Sequence, residues 1–70
     1  MMNNLEEVIK QKYGSLDKML ENTEEISRSY LFKIVNGETN NPSKNILKEL
    51  SRLLELSVEE VIKLIDNEEI

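Results

Sequence analysis

Ser27, Arg28, Ser29, Lys33 and Asn36 crowd into a short stretch of this 70-residue chain. Their chemistry is that of recognition rather than bond-breaking. The hydroxyls and the amide both donate and accept, while the two cations donate only and neutralise negative charge. On one face of a helix, such a set suits the major groove of DNA, where base edges and phosphates offer the complementary groups. The surrounding residues supply that helix. Ser27 is an N-cap whose oxygen can accept from the first-turn amides, and Gly37 provides the left-handed residue that ends a helix. Leu31, Ile34 and Val35 fall on one side. Ser29, Lys33 and Asn36 fall on the other, with Phe32 on its flank.

Catalytic readings find little to work with. The chain has no histidine, so the usual general base and commonest metal ligand are missing, and no cysteine, which excludes disulfides and thiolate metal sites. The carboxylate pairs Glu24-Glu25, Glu59-Glu60 and Glu68-Glu69 are adjacent in sequence on solvated helix ends, with no pocket to raise a pKa. Two glycines cannot build a phosphate-cradling loop. The expectation is a protein with no catalytic residue, no metal and no cofactor, and so not an enzyme.

The net charge of −5 runs against a nucleic-acid partner until its distribution is followed. Residues 55–70 carry Glu55, Glu59, Glu60, Asp66, Glu68 and Glu69 against Lys63 alone, which accounts for the whole excess. Residues 26–54 carry Arg28, Lys33, Lys44, Lys48 and Arg52 against Glu38 and Glu49, a net of +3. No apolar stretch approaches the roughly 20 residues of a membrane span. The opening residues have neither the basic flank nor the apolar run of a secretory signal. A cytoplasmic, membrane-independent protein is expected.

The elements that must position the polar face read as five helices in one domain covering 1–70. No two-residue alternation runs long enough for a strand. Asn4 and Glu7 resemble a capping box opening a first helix with Leu5, Val8, Ile9 and Tyr13 on its apolar face, ended by Gly14. Ser15 caps a second, carrying Leu16, Met19 and Leu20 and ending near Thr23. Glu24-Glu25-Ile26 is then a tight connection with Ile26 turned inward. After Gly37, residues 38–42 form a loop in which Pro42 keeps Asn41 out of helical conformation. Ser43 caps a fourth helix bearing Ile46, Leu47, Leu50, Leu53 and Leu54. Ser57 and Glu60 form a second capping box. It opens a fifth helix over about 58–66, with a frayed acidic tail at 67–70. Two short helices joined by a tight turn, the second with an exposed polar face, make a helix-turn-helix.

The run from Ile26 to Gly37, followed by Thr39-Asn40-Asn41-Pro42-Ser43 and later by Leu54-Glu55-Leu56-Ser57-Val58-Glu59-Glu60-Val61, strongly resembles the Cro/CI (XRE-type) repressor family. The resemblance extends from about Leu5 to Ile65. It implies an all-α, compact, five-helix, lambda-repressor-like fold that binds a double-stranded DNA operator, usually as a dimer. By that resemblance Ser27, Arg28, Ser29 and Lys33 match positions facing bases or nearby phosphates. Ser15 matches the start of the second helix, which approaches a phosphate, and Asn36, Thr39, Asn40 and Asn41 match a loop that tracks the backbone. Two departures stand out. The turn at residues 23–26 is one residue longer than usual and has no glycine. Val35 stands where the family often has a glutamate paired with a base on the first helix, which leaves Lys10 as a surface or phosphate-directed charge.

Several residues admit two readings. Arg28 can reach two guanine acceptors or a phosphate. Phe32 can touch a thymine methyl or tuck into the core, and Tyr30 can pack or meet a phosphate. Asn40 and Asn41 serve phosphate contact or turn formation. Lys44, in the first turn of its helix, is placed for a phosphate, whereas Lys48 and Arg52 suit local pairs with glutamates. Val58, Val61, Ile62 and Ile65 of the fifth helix suit weak homodimerisation or closure of the monomer core. The resulting expectation is a sequence-specific transcriptional regulator, a repressor acting by operator occlusion. The alternative is an antirepressor- or antitoxin-like interaction module that binds a regulatory protein partner through its acidic last helix.

Overall fold

The computed structural model describes residues 4–39 and 41–66. The contact assigned to Asn40 and the fraying expected at 67–70 lie outside them. Five helices follow in order: α1 (Asn4–Tyr13), α2 (Leu16–Leu20), α3 (Arg28–Val35), α4 (Lys44–Leu54) and α5 (Val58–Asp66). Helix α1 packs against all four others, and α4 and α5 pack against each other.

The helix starts follow from local side-chain chemistry. The hydroxyls of Ser15, Ser27 and Ser43 accept from the amides of Lys18, Tyr30 and Ile46. At α5 the box is reciprocal: Ser57 accepts from the Glu60 amide, and the Glu60 carboxylate accepts from the Ser57 amide, both at 3.1 Å. The end of α3 is closed by two hydrogen bonds, Gly37 N–H to Ile34 C=O and Glu38 N–H to Lys33 C=O. That double closure needs a left-handed residue between them, and Gly37 supplies it at φ +80°. Asn4 lies within α1 as described rather than before it.

All five helices feed one core. It comprises Leu5 and Ile9 of α1, Leu16 and Met19 of α2, Leu31, Ile34 and Val35 of α3, Leu50, Leu53 and Leu54 of α4, and Val61 and Ile65 of α5. Ile26 joins them from the α2–α3 connection, turned inward as its position predicts. Burial divides the α5 residues expected to pair two copies. Val61 and Ile65 are consumed by the core, Val58 is half-buried, and Ile62 alone of the four is exposed, at 39%. In so small a domain α5 must close the far side of α1 and α4, so its apolar face is spent on the monomer.

Helix α2 ends at Leu20, three residues before the expected Thr23. The connection at residues 21–27 therefore has room to turn without glycine. Its residues keep negative φ; among the described residues only Gly14, Gly37 and Glu55 are left-handed. Side chains do the shaping. Thr23 Oγ1 accepts from the Glu25 amide and its hydroxyl donates to the Glu49 carboxylate of α4. Asn22 Nδ2 donates to the Lys18 carbonyl.

Candidate functional site

The outer face of α3 carries the polar set. Ser27, Arg28, Ser29, Lys33 and Asn36 are all exposed, while Leu31, Ile34 and Val35 behind them are fully buried. Three buried anchors in eight residues hold the helix rigidly, which gives the outward side chains a fixed frame. Ser27 uses one lone pair as the cap, and its exposed hydroxyl keeps its capacity to donate. Ser15, half-buried at the head of α2, is occupied in the same way.

Arg28 is the most constrained of the set. Its Nε donates to Asp17 Oδ1 of α2 at 3.0 Å, and its guanidinium carbon lies 5.2 Å from the centre of the Phe32 ring. The half-buried Phe32 ring packs on the core, the second of its two readings, with the Arg28 guanidinium over its other face. Tyr30 is half-buried against the core at the flank of the same helix. Its burial favours packing for the ring.

Beyond α3, Thr39 is half-buried, its amide tied to the Lys33 carbonyl at 3.2 Å, and Asn41 and Lys44 are exposed around the turn into α4. Among the described residues Lys33, Lys44 and Lys48 make no ion pair within the chain. Arg52 is spoken for: it grips Glu49 with Nε and Nη2, both at 2.8 Å. Those bonds and the Thr23 hydroxyl pull the Glu49 carboxylate down to a pKa of about 2. Lys10 is a surface charge, 56% exposed. It pairs with Glu6 one turn earlier at 3.4 Å, because α1 places the two at i and i+4.

Asp17 is the one member of the cluster that sequence reasoning passes over. Its partner lies eleven residues away across a helix crossing, so no local spacing points to it. Phe32 is different, because it stands four residues after Arg28, the interval that brings side chains together on a helix. No group of titratable side chains among the described residues is arranged to hold a metal ion, and none of the described helices is long and apolar enough to cross a membrane.

Compared with known families, residues 5–61 match the model described as helix-turn-helix. No curated protein and no solved structure matches the chain.

Proposed function

The chain belongs to the Cro/CI (XRE-type) helix-turn-helix family and is a DNA-binding transcription regulator, and from that premise we propose that it is a sequence-specific repressor acting by operator occlusion. Helix α3 enters the major groove. Arg28, Ser29 and Lys33 face bases or adjacent phosphates, and Ser15, Ser27, Tyr30, Asn36, Thr39, Asn40, Asn41 and Lys44 grip the flanking backbone. The observation that carries this reading is the division of α3 into a fully buried apolar side and an exposed side of short polar and cationic residues. Among the described residues Lys33 and Lys44 have no ion-pair partner, which supports it, since charges exposed there can meet phosphates.

A single recognition helix reads only a few base pairs, so two weakly associated copies act together on a near-palindromic site. Occupancy is controlled by protein concentration, by pairing or by a regulatory protein partner. Selection of bound sequences from a random duplex pool tests the reading directly. A recurrent half-site with strongly salt-dependent affinity is expected. A pool that stays random, with binding indifferent to salt, points instead to a protein-interaction module using the acidic α5.

A further inference from the structure

The Glu49 side chain is only 12% exposed, on the side of α4 that meets the connection between α2 and α3. It accepts from the Thr23 hydroxyl, and Arg52 of the same helix grips both its oxygens at 2.8 Å. Arg52 also reaches the Asn22 carbonyl, at 3.5 Å. The Thr23 oxygen in turn accepts from the Glu25 amide, two residues before the cap of α3. A chain of polar contacts thus runs from α4 to the head of the helix that carries the polar face.

An enclosed carboxylate is a costly way to join two elements, because apolar side chains of similar volume hold them as well or better. What charge-assisted, two-point hydrogen bonding adds is direction. Direction is what this part of the fold otherwise lacks. Helix α3 packs chiefly against α1, and one line of apolar contact lets a helix pivot. Ile26 pegs the connection into the core, but hydrophobic contact is non-directional. Backbone turn bonds from α2 carry the chain to Thr23, whose amide donates to the Leu20 carbonyl. Thr23 therefore stands where the chain leaves α2, and Glu49 fixes that point against α4. Reading bases requires side chains held to within about 0.5 Å of their working positions. Resting on the DNA-reading role argued above, we propose that Glu49 is a positioning residue for sequence discrimination. Held by Arg52, it grips Thr23 and sets the angle at which α3 is offered to the groove. It acts through Thr23 and not by contact with DNA.

The test uses the full chain. Wild type, Thr23→Ser, Thr23→Val, Thr23→Val/Glu49→Leu and Tyr13→Phe are titrated on a duplex selected by wild type and on a scrambled one. Circular dichroism and urea melts confirm that each is folded under the titration conditions and give its stability. Thr23→Val keeps the shape and loses the hydroxyl. It should lower affinity for the selected duplex by roughly fivefold or more, the lower end of what one well-placed base contact is worth, and leave scrambled DNA unchanged. Thr23→Ser, which keeps the hydroxyl, should discriminate like wild type. The double variant replaces the polar link by an apolar one and should be at least as stable as Thr23→Val, yet discriminate no better. Tyr13→Phe removes a different hydrogen bond onto α4 and should leave discrimination intact at a comparable loss of stability. A wild-type selection that enriches nothing overturns the DNA-reading role and this inference with it. With an enriched motif in hand, full discrimination by Thr23→Val overturns the role of Glu49 alone. So does discrimination that follows stability, lost in Tyr13→Phe or regained in the double variant.

Discussion

The phenolic hydroxyl of Tyr13 donates to the main-chain carbonyl of Leu53 at 2.6 Å, tying the end of α1 to the end of α4. Leu53 lies in the last turn of its helix, where carbonyls have no intrahelical amide to accept from. Tyr13 therefore satisfies a group that partial burial screens from water. Beside it, Lys12 pairs with Glu55, the left-handed residue that ends α4. Tyr13→Phe keeps the ring and removes only the donor. It should cost about 1 kcal/mol, read as a lower midpoint with unchanged slope in urea denaturation. DNA affinity of the folded variant should be unaffected, because the contact lies away from α3.

Glu49 gives the fold a defined acid sensitivity. Its folded pKa of about 2 lies below the ordinary value of 4.5, through its bonds to Arg52 first and Thr23 second. A depressed carboxylate contributes stability that is present above its unfolded pKa and is lost as pH falls through the folded one. The relevant window therefore runs from about pH 4.5 down to about 2. Glu49→Gln should destabilise the protein by about 1 kcal/mol at neutral pH, because it loses a charge-assisted pair whose arginine is largely exposed. Its stability should also fall less steeply than that of wild type across the acid window. Some slope should persist, since Glu55 and Glu60 are also shifted down, by Lys12 and by the Ser57 amide respectively. Urea melts at stepped pH values provide the check.

Local chemistry is what the sequence makes legible. Ser15, Ser27, Ser43 and the Ser57/Glu60 box each act within a few residues, so spacing alone locates four of the five helix starts. Gly37 and the buried side of α3 are legible for the same reason. What depends on how helices cross is not. The Asp17–Arg28 contact, the Thr23–Glu49 bond that shapes the glycine-free connection, and the share of α5 taken by the core all require the packed fold. Lys10, left as a surface or phosphate-directed charge, lies on the surface beside Glu6, an i, i+4 relation plain in the sequence.

Lys33 separates affinity from sequence preference. It projects from the exposed side of α3 and has no ion-pair partner among the described residues. If it neutralises a phosphate, Lys33→Ala should weaken selected and scrambled duplexes alike and reduce the slope of log affinity against log salt by about 1. If it reaches a base, the loss should be about 1–3 kcal/mol and confined to one position. Fluorescence anisotropy titrations at several salt concentrations distinguish the two. No change in either quantity removes Lys33 from the interface.

The proposed pairing of two copies turns on Ile62. Of the α5 residues first considered for pairing, Val61 and Ile65 are buried in the monomer. Under that proposal a second copy would meet Ile62, which with Leu47, Pro42 and Asn41 borders a small hollow. A patch this small gives weak association, and the acidic residues Glu59 and Asp66 on the same helix repel a second copy. Salt screens that repulsion, so free-protein pairing should strengthen as salt rises, while DNA affinity falls. Ile62→Asp should leave the fold intact, because the side chain is already exposed, and should abolish cooperative binding to a duplex with two half-sites about one helical turn apart. Its affinity for an isolated half-site should equal that of wild type. Light scattering over a concentration series, paired with titrations on one- and two-half-site duplexes, reads both effects. Undiminished cooperativity in Ile62→Asp would place the pairing surface elsewhere on the molecule.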